Sequence, residues 1–192
     1  MLYDIRRRHH SMKNITKYDL KILKKIQKNL CSPALDKVMI GVTKLGTAGA
    51  VWIGIGGLMM LSKKYRRCGF TLAAAVSFDV AANNILVKNI FHRARPCDVD
   101  HTVLLKIRRP FGASFPSGHT LTSVTAATVL TLNKKSFGLG AIPLAALISF
   151  SRMYLFVHYP SDIAAATALG IGLGSAAYAL EKKALPAPKE GA

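Results

Sequence analysis

The sequence predicts an all-α protein, a polytopic membrane helical bundle of about five to six spans that begins with an amphipathic basic N-terminal helix. Hydrophobic residues make up 51% of the 192 residues, although the formal net charge is +18. The lysines and arginines lie in bands between long apolar runs, as in proteins whose loops alternate with membrane spans. A soluble nucleic-acid-binding protein could carry this charge, but apolar runs would not separate its basic residues. We therefore expect a lipid bilayer around the chain and no nucleic-acid partner.

The first 33 residues are predicted to form a basic amphipathic arm. Arginines occupy positions 6–8, and no apolar segment with a small-residue cleavage site follows closely, so the arm is not a signal peptide. A helix lying on an anionic lipid surface is the preferred interpretation. A helix packed on its own protein is the alternative. The apolar stripe that predicts the helix consists of Leu20, Leu23, Ile26 and Leu30.

Residues 34–183 are predicted to form one membrane domain, followed by a disordered tail at residues 184–192. Residues 34–45 carry three charged side chains, which favours an interfacial or re-entrant segment over a full crossing. A crossing needs roughly 20 residues, so the shorter runs are expected to extend into their loops. The predicted crossings are residues 45–61, 68–87, 118–133, 137–151 and 163–180.

Small residues at four-residue spacing occur in the first and last of these crossings, at positions 46–54 and 170–174. Such faces allow two helices to approach closely. The sequence leaves open whether they pack within one chain or between copies of it in a homo-oligomer.

Five crossings would place the basic clusters at residues 63–67, 134–135 and 182–183 on one side of the membrane. Three polar stretches would then meet on the opposite side. They read KNIFHRARP at residues 88–96, PSGH at 116–119 and SRMYLFVHYPSD at 151–162. The sequence thus predicts one site built from segments far apart in the chain.

These stretches contain the groups that phosphoryl transfer requires. A phosphoryl group in transfer spreads negative charge over its oxygens, so fixed cations and oriented N–H donors stabilise it. Arginine donates paired N–H groups to oxyanions, and a helix N-terminus favours an anion. The predicted phosphate-binding residues are Lys88, Arg95, Ser117, Gly118 and Arg152.

Two histidines and an aspartate supply the predicted catalytic groups. His158 is the candidate nucleophile, and Asp162, four residues later, is placed to hold its reactive tautomer. His119 is the candidate general acid, which later activates water. No cluster of carboxylates suits magnesium, and Cys31, Cys68 and Cys97 form no CxxC pair. We therefore expect neither a metal nor a cofactor.

The three stretches resemble the signature of the type 2 phosphatidic acid phosphatase superfamily, written KxxxxxxRP, PSGH and SRxxxxxHxxxD. All three match without departure, within residues 45–180. The resemblance implies a helical fold shared with vanadium haloperoxidases and a metal-independent phosphohistidine mechanism, with the residue roles given above. Compact membrane members of this length resemble bacterial undecaprenyl-diphosphate phosphatases and related enzymes. The resemblance alone implies a multi-pass protein of the cytoplasmic membrane with its site at the extracytoplasmic face.

Several alternatives remain open at this point. The motifs recognise only phosphate, so phosphatidate, phosphatidylglycerophosphate and lipid A phosphates compete with undecaprenyl diphosphate as the lipid substrate. A non-catalytic membrane scaffold of the same fold is a second class, but it should have lost His119, His158 or Asp162. A vanadate-dependent oxidant does not fit so short and apolar a chain. For orientation, the basic residues on the predicted site side favour the cytoplasm by the positive-inside rule.

Other polar residues receive structural interpretations. Arg93, Arg108 and Arg109 are interpreted as anchors to lipid headgroups. Three polar side chains lie within the second predicted span, and none is assigned to the site. These are Asp79, Asn83 and Asn84. Asn84 either positions Lys88 or makes an interhelical hydrogen bond, and Asp79 is interpreted as protonated or paired.

Overall fold

The computed structural model describes residues 2–83 and 92–184, with side chains described from residue 15 onward. Every regular element in these ranges is helical, which confirms the all-α prediction. The predicted tail, apart from Ala184, lies outside the described residues. The helices are α1 (Leu2–Leu30), α2 (Pro33–Leu45), α3 (Ala50–Met60), α4 (Arg66–Ala82), α5 (Pro96–Val99), α6 (Gly118–Asn133), α7 (Lys135–Tyr154) and α8 (Pro160–Ala184), with a short 3₁₀ turn at Thr47–Gly49.

Helix α6 is the centre of the bundle, and it packs against α8, α7 and α4. Its side chains are apolar or small hydroxyl groups, and most of those between positions 120 and 130 are buried. Trp52 of α3 reaches across the core and donates its indole N–H to Ser123 Oγ at 2.9 Å. Leu72, Val76 and Ile148 pack in the same cluster. The core therefore fixes α6, whose N-terminus carries the PSGH motif.

Glycines allow α8 to lie directly against α6. A Cβ at Gly170 would lie 2.9 Å from Val124 Cβ, and one at Gly174 would lie 2.7 Å from Thr128 Cβ. The predicted small-residue face of α8 thus packs within the chain. In the first predicted crossing, Gly54 instead faces open space, whereas a Cβ at Gly46 would lie 2.6 Å from Ile148 Cγ2 and one at Gly56 would lie 2.9 Å from the Gly69 carbonyl oxygen.

A break separates α2 from α3. Ser32 caps α2 and Pro33 occupies its first turn, where the missing N–H costs no helical hydrogen bond. At the other end, Ala48 and Gly49 both have positive φ, and the two helical pieces meet at 50°. A Cβ at Gly49 would lie 2.4 Å from Val76 Cγ1, so close packing and backbone conformation both require glycine there.

The structure does not confirm five to six crossings. Among the described residues, only Lys135–Tyr154 and Pro160–Ala184 are long and apolar enough to span a membrane, with a third span if the bent α2–α3 pair counts as one. Helix α3 has 11 residues and α6 has 16, fewer than a full crossing needs. The bundle nevertheless exposes large apolar side chains, as expected of a surface that faces lipid. They include Leu58, Phe70, Phe78, Leu139 and Leu180.

The second half of α1 packs on the protein. Leu23 is completely buried against Phe156 and Tyr159, and Gln27 donates a hydrogen bond to the Tyr154 carbonyl at 2.6 Å. The centre of the apolar stripe is therefore packed on the protein itself, which was the alternative interpretation. The preferred interpretation, that the stripe contacts lipid, is not confirmed. Leu30, at its end, is exposed.

The basic clusters lie at the opposite end of α6 from the PSGH motif. Lys64, Arg67, Lys134 and Lys182 surround a cavity of about 300 Å³. Helix α6 has 16 residues, so its two ends are roughly 24 Å apart at 1.5 Å per residue. The predicted separation of basic loops and site motifs is thus present in the fold.

We expect Gly174→Ala to lower the apparent melting temperature in detergent. The added methyl group would overlap Thr128, and overpacking of this kind costs about 1–3 kcal/mol. Gly172→Ala is the matched control, because a Cβ there meets nothing within 4 Å. Equal melting temperatures for the two variants would contradict the close α6–α8 contact.

Candidate active site

A buried turn between α7 and α8 carries His158. Arg152 lies in the last turn of α7, and its carbonyl accepts hydrogen bonds from the N–H groups of Val157 at 3.1 Å and His158 at 3.3 Å. Phe156 adopts φ 58°, a left-handed conformation uncommon for a bulky residue. The turn therefore holds Arg152 and His158 within one compact loop.

Asp162 lies in the first turn of α8 and is fully buried. Its Oδ2 accepts hydrogen bonds from the Tyr159 N–H at 2.9 Å and from Ser114 Oγ at 2.6 Å, and its Oδ1 accepts one from Arg93 Nη1 at 2.5 Å. His158 Nδ1 lies 3.6 Å from Oδ2, too far for a hydrogen bond. The predicted His158–Asp162 contact exists, but other groups hold the carboxylate in place.

Arg95 uses its N–H donors on the protein itself. The guanidinium donates to the carbonyls of Phe111, Gly112, Ala113 and Val157 at 2.9–3.3 Å. Its Nη1 also lies 3.1 Å from His158 Nε2. An arginine can only donate, so Nε2 accepts this hydrogen bond and the ring proton is on Nδ1, which faces Asp162.

The surroundings of His158 keep its ring neutral. Burial, together with the guanidiniums of Arg95 and Arg152, lowers the pKa of His158 to about 4, against the opposing effect of Asp162. An imidazole with this pKa is uncharged at pH 7, so Nε2 carries a lone pair next to two cations. That arrangement suits attack on an anionic phosphorus centre.

Arg152 approaches the same ring from α7 and is buried. Its Nη1 donates to Thr43 Oγ1 of α2 at 2.5 Å, while its Nε has no hydrogen-bond partner within the described part of the chain. Arg152 therefore has a donor available for a ligand, whereas Arg95 would have to exchange an existing contact.

The PSGH motif begins α6. Ser117 is the N-cap residue, and its Oγ accepts from the Thr120 hydroxyl at 3.0 Å; the preceding Phe115–Pro116 peptide is cis. Ser114, three residues earlier, donates its hydroxyl to Asp162 Oδ2, and the Ser117 Cα lies within roughly 11 Å of the Ser114 Cα because a chain segment of three residues reaches no further. Gly118 packs against the side-chain amide of Asn83.

His119 lies against the end of α2. A Cβ at Gly46 would lie 2.8 Å from His119 Cδ2 and 2.6 Å from Ile148 Cγ2. Gly46 follows Thr43 by three residues, so the end of α2 contacts both His119 and Arg152. Only glycine leaves room for the imidazole at this position.

The described residues thus place seven of the eight predicted site residues at one end of the bundle. Contacts link Arg95, Arg152, His158 and Asp162, and Ser117, Gly118 and His119 follow the loop that is bonded to Asp162. Lys88 lies outside the described residues, as does Asn84. No group of three or more His, Cys, Asp or Glu side chains in the described chain is arranged to hold a metal ion.

Arg93 and Arg109 both form ion pairs within the protein. Arg93 is bonded to two carboxylates within the protein, Asp19 and Asp162. Arg109 donates to both oxygens of Asp98, at 2.6 and 2.7 Å. The interpretation of Arg93 as a headgroup anchor is therefore corrected to intramolecular ion pairing, whereas the Arg109 side chain is about half exposed and its interpretation as an anchor stays a prediction.

Sequence reasoning missed five residues around the site: Asp19, Thr43, Gly46, Arg93 and Ser114. Asp19 had a detectable signal, since it lies four residues before Leu23 on the apolar face of a basic helix. A lone carboxylate on such a face indicates a buried ion pair. The other four had no distinguishing signal in a single sequence.

A second polar cavity, of about 170 Å³, adjoins Gly118 and His119. Asp79 and Asn83 line it, and the described residues provide no hydrogen-bond partner for the Asp79 carboxylate oxygens or for Asn83 Oδ1. Both residues lie at the end of α4, and they also lie beside the start of α6, which carries the PSGH motif. The sequence did not predict that they would adjoin this motif.

Two curated proteins are similar to this chain. An undecaprenyl-diphosphatase from Sulfolobus acidocaldarius is 30% identical over 154 residues, covering 80% of this chain and 73% of that protein. A decaprenylphosphoryl-5-phosphoribose phosphatase from Mycobacterium tuberculosis is 32% identical over 144 residues, covering 74% and 78%.

A solved structure has a similar fold. The transmembrane PAP2-type phosphatidylglycerolphosphate phosphatase from Bacillus subtilis superposes with a TM-score of 0.73 at 25% identity, covering 91% of this chain and 90% of that one. Residues 66–186 match the PAP2 superfamily, a range that includes all three motifs. The chain therefore belongs to the PAP2 superfamily, as a membrane lipid phosphatase.

Proposed function

We propose that this protein hydrolyses a lipid phosphate or diphosphate without a metal ion, through a phosphohistidine on His158, and that undecaprenyl diphosphate is its substrate. The observation that carries the proposal is the state of His158. Its Nε2 lies 3.1 Å from Arg95 Nη1 and its Nδ1 lies 3.6 Å from Asp162 Oδ2, and these surroundings favour a neutral ring with its proton on Nδ1.

In the first step, His158 Nε2 attacks the terminal phosphorus. A P–N bond forms as the P–O bond to the leaving group breaks, and His119 donates its proton to the departing oxygen. With undecaprenyl diphosphate, the leaving group is undecaprenyl phosphate. In the second step, His119 accepts a proton from water, whose oxygen attacks the phosphohistidine. Inorganic phosphate leaves and His158 returns to its neutral form.

The proposed phosphate-binding groups, called the phosphate cradle below, are the N–H donors around His158 and the motif lysine. Arg152 has an unpartnered Nε, and the start of α6 at Ser117 and Gly118 presents a helix N-terminus to the anion. Arg95 would turn one N–H from His158 Nε2 to a phosphate oxygen, which frees the lone pair when substrate is present. Lys88 is assigned to the cradle by its motif alone.

The choice of a polyprenyl lipid rests on the relatives and on an apolar groove. The Sulfolobus and Mycobacterium proteins are named for undecaprenyl and decaprenyl substrates. A groove of about 570 Å³ runs between α6, α7 and α8, and nearly all of its exposed lining is apolar. It includes Met153, next to Arg152, so an apolar chain in it would leave its head near the phosphate cradle.

Phosphatidylglycerophosphate is the second candidate, because the Bacillus structure covers nearly the whole chain. A non-catalytic scaffold is not favoured, because His119, His158 and Asp162 are all present.

Purified protein in EDTA should release phosphate from undecaprenyl diphosphate faster than from phosphatidylglycerophosphate or phosphatidate, and His158→Gln should abolish the release. The variant removes the attacking nitrogen while keeping a polar side chain in the buried turn. Phosphate assays on the lipid panel measure both effects.

His101→Gln is the matched control, since His101 is an exposed loop histidine that follows α5, and it should keep wild-type activity. Activity of folded His158→Gln would reject the nucleophile, and loss of wild-type activity in EDTA would reveal a metal requirement.

The His158 ring should be protonated near pH 4 instead of near 6.5, because burial and two guanidiniums disfavour its cation. In a sample with ¹³C-labelled histidine, the resonance absent from His158→Gln should stay constant from pH 7.5 to 5.5 and shift only at lower pH. A midpoint near 6.5 would contradict the neutral, enclosed imidazole.

We also propose that the site opens at the extracytoplasmic face. Eight lysines and arginines gather at the far end, at residues 63–67, 134–135 and 182–183, which favours that end for the cytoplasm. The basic residues of α1 lie on the site side and favour the reverse orientation, so labelling must decide between the two.

A cysteine at exposed Thr102 should react with a membrane-impermeant maleimide in intact cells. A cysteine at exposed Lys64, at the far end, is the matched control and should react only after the cells are permeabilised. The opposite pattern would place the site in the cytoplasm.

A further inference from the structure

A chain of buried ion pairs connects α1 to the carboxylate that faces His158. Arg93 Nη2 donates to Asp19 Oδ2 at 2.8 Å, and Arg93 Nη1 donates to Asp162 Oδ1 at 2.5 Å. Both carboxylates are buried, and the Arg93 guanidinium stacks 4.0 Å from the centre of the Tyr159 ring. One guanidinium therefore bridges two carboxylates that are 143 positions apart in the sequence.

Asp19 also binds the N-terminus of α8. It accepts from the Ser161 N–H at 3.2 Å and from the Ser161 hydroxyl at 2.5 Å. A carboxylate at this position is favoured by the helix dipole and by an N–H that has no intrahelical partner. Asp19 thus fixes both the helix that carries Asp162 and the arginine that binds it.

These contacts determine how the Asp162 carboxylate is turned. Arg93 occupies Oδ1, while Ser114 and the Tyr159 N–H occupy Oδ2, the oxygen nearest to His158 Nδ1. Without Arg93, nothing among the described residues would bond Oδ1, and the carboxylate could rotate. Rotation would move the acceptor away from the ring proton that defines the reactive tautomer.

We propose that Asp19 and Arg93 are positioning residues for the nucleophile, so that α1 is a working part of the catalytic site. Neither side chain touches His158, and each acts through Asp162. The inference rests on the proposed function of His158. Asp19 precedes the segment that matches the PAP2 superfamily, residues 66–186, so the superfamily match does not account for it.

The test compares Asp19→Asn and Arg93→Lys with Lys24→Gln in the full-length protein. Lys24 is the matched control, because it also ties α1 to the site-side loops, through a 2.7 Å salt bridge to Asp100 that does not reach Asp162. Each variant is assayed for kcat and KM, for inhibition by orthovanadate and by inorganic phosphate, and for its melting temperature.

We expect both positioning variants to lower kcat by about 10- to 100-fold, as misplacement of a reacting group does, with KM changed less than about twofold. Orthovanadate forms its five-coordinate adduct with the nucleophilic nitrogen, so its inhibition constant should rise with the loss in kcat/KM. Inorganic phosphate binds the phosphate cradle without forming a bond to the nucleophilic nitrogen, so its inhibition constant should not change. Lys24→Gln should behave as wild type.

The double variant Asp19→Asn/Arg93→Lys tests whether the two residues act in one chain. Its loss in kcat should be smaller than the product of the two single losses, because both single variants disturb the same contact to Asp162. If the two single losses in kcat multiply in the double variant, the two residues act independently and the proposed Asp19–Arg93–Asp162 chain is rejected. Arg93→Lys carries the test by itself if Asp19→Asn does not fold.

The inference fails if wild type is active and His158→Gln is inactive, but folded Asp19→Asn and Arg93→Lys match Lys24→Gln. It also fails if phosphate and orthovanadate inhibition weaken equally, because the whole site would then be disturbed. The proposed function fails by a different result, namely activity in His158→Gln or no activity in wild type.

Discussion

The Asp162 carboxylate has two roles, and the same hydrogen bonds hold it in place for both. It caps the first turn of α8 through the Tyr159 N–H, and it faces the Nδ1 proton of His158. A buried carboxylate is costly unless it is paired and hydrogen-bonded. Arg93 and Ser114 supply these interactions, so both the start of α8 and the site around His158 depend on them. Helix α8, the loop before α6 and helix α1 are thereby held together at one point.

The protein surroundings, more than the intrinsic chemistry of histidine, determine what His158 can do. Two guanidiniums next to an imidazole would be unfavourable if the ring were charged, and burial adds to that penalty. If His158 is the nucleophile, as proposed, the same two cations would attract its phosphate substrate, so one set of groups would serve both protonation and binding. A site of this kind combines substrate binding with control of protonation without additional groups.

The sequence predicted the helical class, the clustering of the motifs and the separation of basic loops, because apolar periodicity and motif spacing depend on local sequence. It did not predict that Arg93 is an internal ion-pair partner or that Thr43 and Gly46 contact Arg152 and His119. Those contacts depend on how α2 and the loop after α4 pack in three dimensions. The sequence also did not predict the number of crossings correctly, because α3 and α6 are shorter than a membrane span.

The pairing of Asp19 with Ser161 joins residues 142 positions apart. During synthesis, α1 leaves the ribosome early, while α8 emerges only when the chain is almost complete. Contacts of such long range form late, after the cost of closing a long loop has been met. If α1 completes the site, a chain that already contains all three motifs still lacks a correctly held Asp162 until α8 has docked on α1. Enzymatic activity then reports that α1 and α8 have come together, and not only that the motifs have been made.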